Sequence, residues 1–139
     1  SNGAIRQTAK EAGVEDAIRF LGFVEKPARL FAVMDMMLLP SDWEGFPVSI
    51  LEAMQAGVPV IATKVGGIPE MIRHMQDGLL IPPRDPAAIT EAVNLLAHDF
   101  PLRATLVKSA DARYQANYTL TAMGHKVASV YQELLKNSC

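Results

Sequence analysis

Two glutamates, Glu44 and Glu52, stand at either end of the segment Glu44-Gly45-Phe46-Pro47-Val48-Ser49-Ile50-Leu51-Glu52. An apolar run, Met36-Met37-Leu38-Leu39, delivers the chain into Ser41-Asp42-Trp43-Glu44-Gly45-Phe46, and a helix is predicted over 47–56. The first amides of a helix have no partners inside it and its dipole is positive there, so that end suits a phosphate. Proline has no N–H, which leaves Val48 and Ser49, with Gly45 and Phe46, as the donors. Glu52 lies about 7.5 Å along the axis from Pro47, and its side chain leans back toward the helix start. Two carboxylates flanking a phosphate site suit a ligand with a hydroxylated ring at each end and a diphosphate between. A carboxylate accepts hydrogen bonds from vicinal hydroxyls, as ribose and hexose offer them. The same residues also fit a blander role. Ser49, Glu52 and Gln55 form a polar stripe opposite Val48, Leu51 and Met54, and Glu44 reads as an ordinary loop carboxylate.

The elements that would position these groups alternate between helix and short apolar strand. A helix over about 4–13 ends at Gly13, a natural left-handed cap. Residues 17–21 read as a short strand closed by Gly22, and Pro27 starts a helix with Leu30, Phe31 and Met34 on its buried side. Strand 36–39, stopped by Pro40, has the continuous apolar character of a strand buried on both faces. Helix 47–56 ends at Gly57, strand 58–63 follows, Gly66-Gly67 makes a loop, and Pro69 starts a short helix before strand 78–81. Three helices close the chain. The first has Asp85 as N-cap, Pro86 at its first position, and Ile89, Val93 and Leu96 on one stripe. The second covers about 101–115. The third, capped by Thr119 or Thr121, repeats Leu120, Met123, Val127, Val130 and Leu134 at helical spacing. Such alternation predicts an α/β fold, a Rossmann-like parallel sheet with helices on both faces. In that architecture ligands bind beyond the carboxyl ends of the strands, where the 44–52 segment falls.

Bulk properties narrow the class. The 139 residues allow one domain with a real core, half of them apolar and a fifth charged. A net charge of -2 argues against a nucleic-acid partner, which would favour a basic chain. No apolar run reaches the roughly 20 residues of a membrane span, and no signal-peptide pattern opens the chain. One cysteine, Cys139, makes no internal disulfide, which fits a reducing, cytoplasmic setting. His74, His98 and His125 lack ligand spacing, so no metal site is expected. The methionines Met34, Met36 and Met37 read as core filling.

The order Ser41-Asp42-Trp43-Glu44-Gly45-Phe46-Pro47, then Glu52-Ala53-Met54-Gln55-Ala56-Gly57-Val58-Pro59-Val60-Ile61-Ala62-Thr63, then Val65-Gly66-Gly67-Ile68-Pro69-Glu70, resembles the group 1 retaining glycosyltransferases of the GT-B fold. Phe20-Leu21-Gly22-Phe23-Val24, Asp77-Gly78-Leu79-Leu80-Ile81-Pro82 and the final helices extend the resemblance over nearly the whole chain. It implies transfer of a sugar from a nucleotide-diphosphate sugar (a UDP-, GDP- or ADP-sugar) to an acceptor hydroxyl, with retention of configuration. No cofactor and no divalent metal are implied.

Residue by residue, Glu44 matches the glutamate beside the donor sugar and its leaving phosphate. Gly45, Phe46, Pro47, Val48 and Ser49 match the loop and helix start that hold the diphosphate, with Pro47 where many relatives carry glycine. Glu52 matches the glutamate that grips the ribose. Gly22, Phe23 and Val24 match a turn against which the base packs. Gly66 and Gly67 match a loop lining the donor cleft, where missing side chains permit close approach.

The resemblance also implies what lies outside residues 1–139: an N-terminal acceptor-binding domain and two strand–helix units, the first bearing a basic Arg–Lys pair. The chain would then be a donor-binding fragment, inactive alone, whose sugar or lipid-linked acceptor is met through the other domain. A lipid-linked acceptor would bring the enzyme to the inner face of the membrane. In the doubly wound order, strands 17–21 and 36–39 would be separated by two absent strands. That predicts a rearranged order, a strand swap, or a homo-oligomer. Two other readings share the motif: a nucleotide-sugar-binding module without catalysis, and a GT-B-fold sugar-nucleotide epimerase.

Overall fold

The computed structural model describes residues 2–136, so Ser1 and the lone Cys139 lie outside the described residues. Three parallel strands, β1 (Met37–Leu39), β2 (Val60–Thr63) and β3 (Leu79–Ile81), lie side by side in chain order. Met37 pairs with Val60 and Ile61 with Leu79, which puts all three carboxyl ends on one side of the molecule. Around them run α1 (Asn2–Glu11), α2 (Ala28–Phe31), α3 (Val48–Ala56), α4 (Ile68–Met71), α5 (Pro86–His98), α6 (Phe100–Asn117) and α7 (Leu120–Lys136).

The alternation of β2 divides the core. Val60 and Ala62 point to one face, where Ile50, Ala53 and Met54 of α3 pack with Ile68, Met71 and Ile72. Ile61 points to the other, against Ala92 and Leu96 of α5 and Leu106 of α6. Every residue of β2 is buried. The expected α/β sheet with helices on both faces is therefore present. Gly57 ends α3 at φ 72°, and its N–H donates to the carbonyls of Ala53 and Met54. Asp85 caps α5 by accepting from the Ala88 amide at 3.0 Å, an arrangement worth about 1 kcal/mol. Among the described residues, no helix is long and apolar enough to cross a membrane.

Several expectations need correction. Residues 17–21 are not a strand: a short 3-10 turn covers Glu15–Ala17, and residues 18–21 pair with no strand among the described residues. An isolated strand cannot satisfy its own amides, so extended character alone does not make one. The three strands lie in sequential order, so of the expected rearranged order, strand swap or homo-oligomer the first is not seen among the described residues. Strand β1 is an edge, and Leu38 is exposed instead of buried on both faces. Helix α2 stops at Phe31, leaving Met34 outside it and partly exposed. Pro47 is the residue before α3, with ψ 110°, and the helix proper begins at Val48. The stripe on α7 is helical as expected, but Leu120, Met123, Val127 and Val130 all face outward.

Candidate functional site

Strand β1 leads into residues 40–47, which cross the carboxyl end of the sheet before α3 begins. Buried Thr63, at the end of β2, holds this loop from beneath. Its hydroxyl donates to the Ser41 carbonyl at 2.6 Å, with the Leu39 carbonyl 3.4 Å away. Ser41 in turn donates through Oγ to Glu44 Oε1 at 2.7 Å. One oxygen of the half-buried Glu44 carboxylate is thus oriented by the protein, and the other carries no protein hydrogen bond among the described residues.

The glycine loop closes against this segment. A Cβ on Gly66 would lie 1.7 Å from the Glu44 carbonyl oxygen, and one on Gly67 would lie 2.3 Å from that of Gly45. The Gly67 amide donates to the Gly45 carbonyl at 3.0 Å. Only residues without side chains permit this approach, and Gly66 also takes φ 51°. Glu44, Gly45, Phe46, Gly66 and Gly67 therefore form one continuous surface.

Helix α3 opens beside it. With Pro47 outside the helix, the first two helical amides belong to Val48 and Ser49, and the third, from Ile50, bonds back to the Pro47 carbonyl at 3.1 Å. No side chain caps this helix. The two free amides and the helix dipole make an anion-binding end. Glu52, one turn further, is half-buried and makes no hydrogen bond or ion pair among the described residues.

Among the described residues no hydrogen bond or ring contact joins Gly22, Phe23 or Val24 directly to 44–52, and Phe23 is 94% exposed. Clefts of about 340 Å³, at the amino ends of the strands, and about 270 Å³, between β3 and α5, include no residue of 44–52 or 66–67.

Several contributors escaped the sequence reading. Ser41 stands three residues before Glu44, a spacing that allows local side-chain bonding, and was the findable one. Asp42 and Arg84 form a bidentate ion pair (3.0 and 3.1 Å) linking the β1 and β3 ends of the site. The hydrogen bond from Arg84 holds the Asp42 carboxyl below its ordinary pKa, partial burial opposing and the Arg84 charge assisting. Buried Asp77 accepts from the Arg73 Nε at 2.6 Å and lies 3.8 Å from Arg113, pinning the turn after α4 to α6.

Residues 2–99 match the family described as "Glycosyl transferases group 1". The chain belongs to this glycosyltransferase family. It is 33% identical over 133 residues to N-acetyl-alpha-D-glucosaminyl L-malate synthase of Bacillus anthracis, covering 96% of this chain and 35% of that protein. Anabaena Alr3699/HepE, solved in complex with UDP-glucose, superposes with a TM-score of 0.87 at 27% identity, over 94% of this chain and 36% of that one. The C-terminal domain of the group 1 protein LpcC from Francisella tularensis superposes at 0.76 with 30% identity, over 86% of this chain and 63% of that one. The chain spans about a third of the length of the curated relatives it matches.

Proposed function

We propose that these residues are the donor-binding part of a glycosyltransferase that moves a sugar from a nucleoside diphosphate to an acceptor hydroxyl with retention of configuration. The observation that carries this reading is the junction of three features in a chain of this family: the free Val48 and Ser49 amides, the oriented Glu44 carboxylate, and the Gly66-Gly67 loop against it. The similarity to HepE, solved with UDP-glucose, supports a nucleotide sugar as the ligand.

In this reading the diphosphate lies on the start of α3. The bond from the anomeric carbon to the leaving phosphate oxygen breaks, and the acceptor oxygen takes its place. Negative charge grows on the diphosphate, and the two amides, already oriented and needing no reorganisation, stabilise it. Glu44 positions the donor sugar, and Glu52 accepts hydrogen bonds from the ribose hydroxyls. No divalent metal or cofactor takes part. The acceptor, a sugar or a lipid-linked sugar, is met through a further domain.

The test is to incubate the intact protein with UDP-, GDP- and ADP-sugars and a set of glycan and lipid-linked acceptors. One donor class should release its nucleoside diphosphate in step with acceptor glycosylation, and proton couplings at the anomeric carbon should show retention. Release without glycosyl product, or an inverted product, would reject the reading.

A further inference from the structure

Tyr118 stands at the end of α6, half-buried, immediately before the turn into α7. Its ring centroid lies 6.0 Å from that of Phe46, tilted by 59°, within the range of attractive aromatic pairs. Its hydroxyl donates to the Glu70 carbonyl at 3.2 Å. Phe46 belongs to the loop that precedes α3, and Glu70 to the helix that Gly66 and Gly67 introduce. One side chain, distant in sequence from both segments, touches each of them.

The neighbours of this side chain are well fixed. Arg113, one turn back on α6, donates to the same Glu70 carbonyl at 2.6 Å and to the Met71 carbonyl at 2.8 Å. A Cβ on Gly67 would lie 3.6 Å from Phe46 Cδ2, so the Phe46 ring has the glycine loop near one edge and Tyr118 near another. Phe46 is still 49% exposed. Tyr118 is its ring partner among the described residues. The Val48 and Ser49 amides follow two and three residues later.

We propose that Tyr118 is a positioning residue for the nucleoside diphosphate site, acting through Phe46 to hold the Glu44–Ser49 segment against the glycine loop. The inference rests on the donor-site reading above. A loop that is ordered before the ligand arrives spares the ligand the entropic penalty of ordering it, so the role is felt in affinity.

The test uses the intact protein with four variants: Tyr118→Ala, Tyr118→Phe, Phe46→Ala and the Phe46→Ala/Tyr118→Ala pair. Two quantities are read: affinity for UDP, GDP and ADP, and hydrogen exchange of peptides covering residues 44–50 without nucleotide. Tyr118→Ala should weaken the favoured nucleotide about three- to tenfold, the range of an aromatic pair, and speed exchange in 44–50. Tyr118→Phe should return both to within about twofold, because the ring contact survives. In the Phe46→Ala background, Tyr118→Ala should add no further loss. Fully additive losses, or faster exchange spread evenly over β2 and α6, would overturn the proposal in favour of a general structural role. If none of the three nucleotides binds the parent protein, the donor-site reading falls. Exchange in 44–50 still decides the role of Tyr118, and unchanged exchange in Tyr118→Ala would overturn it.

Discussion

A methyl group on Gly66 would stand 1.7 Å from the carbonyl oxygen of Glu44. That distance is about half a normal contact between a carbon and an oxygen, and the obstacle is backbone, which cannot swing aside as a side chain can. The two loops of the candidate site are thus fitted to one another through a position that tolerates only glycine.

The first prediction follows from that fit. Gly66→Ala must push the 44–49 segment off the loop, and its left-handed φ adds a penalty of about 1–2 kcal/mol. Nucleoside diphosphate affinity should fall at least about tenfold, which is about 1.4 kcal/mol of binding free energy. The helical circular dichroism should be largely kept, because the displacement reaches only the loop and the first turn of α3. Full affinity in this variant would show that the two loops need not meet.

Thr63 offers a second. Its hydroxyl is buried and donates to the Ser41 carbonyl. Thr63→Val keeps the shape and leaves that carbonyl without its donor, at a cost of about 1–3 kcal/mol in denaturant unfolding. Ser41→Ala should behave differently. It removes the bond to Glu44 with little effect on stability, and the loss should appear in transfer rate. Equal behaviour of the two variants in both measurements would contradict the chain Thr63–Ser41–Glu44.

Asp42 gives a third, with a definite sign. Its carboxyl pKa is lowered in the folded protein by the hydrogen bond from Arg84. The ion pair therefore contributes stability above the unfolded value of about 3.9, and that contribution is lost as pH falls through the lower folded value. Both side chains are largely exposed, so the contribution is small and screened by salt. In urea titrations Asp42→Asn should be less stable than the parent at pH 7, and the gap should narrow below about pH 4. A gap independent of pH would assign it to something other than this pair.

Sequence patterning carried the fold where an element's own residues decide it. The runs at 58–63 and 78–81, strands at 60–63 and 79–81 in the fold, and the capped helix after Asp85 needed only their periodicity and punctuation to be read. It failed where a partner decides. Residues 17–21 read as a short apolar strand, yet among the described residues no strand pairs with them. Leu38 is as apolar as Ile61, yet one lies in an edge strand and the other in the middle. The stripe from Leu120 to Val130 announced a helix truthfully and was silent about what it packs on. The site shows the same division. Glu44, Glu52 and the two glycines are visible as a local pattern. Thr63 and Tyr118 act through contacts far away in sequence, on Ser41 and Phe46, and no local spacing marks them.

Glu52 carries the central claim most directly, because it is half-buried, has no protein partner among the described residues, and is the group assigned to the ribose. The deciding measurement is a calorimetric titration of UDP, GDP and ADP into the intact protein and its Glu52→Ala variant. Losing a hydrogen bond to a charged carboxylate should weaken the favoured nucleotide about ten- to a hundredfold, at about 1.5–3 kcal/mol, with the unfolding midpoint nearly unchanged. Equal affinity in parent and variant would contradict the assignment of residues 44–52 as a nucleoside diphosphate site.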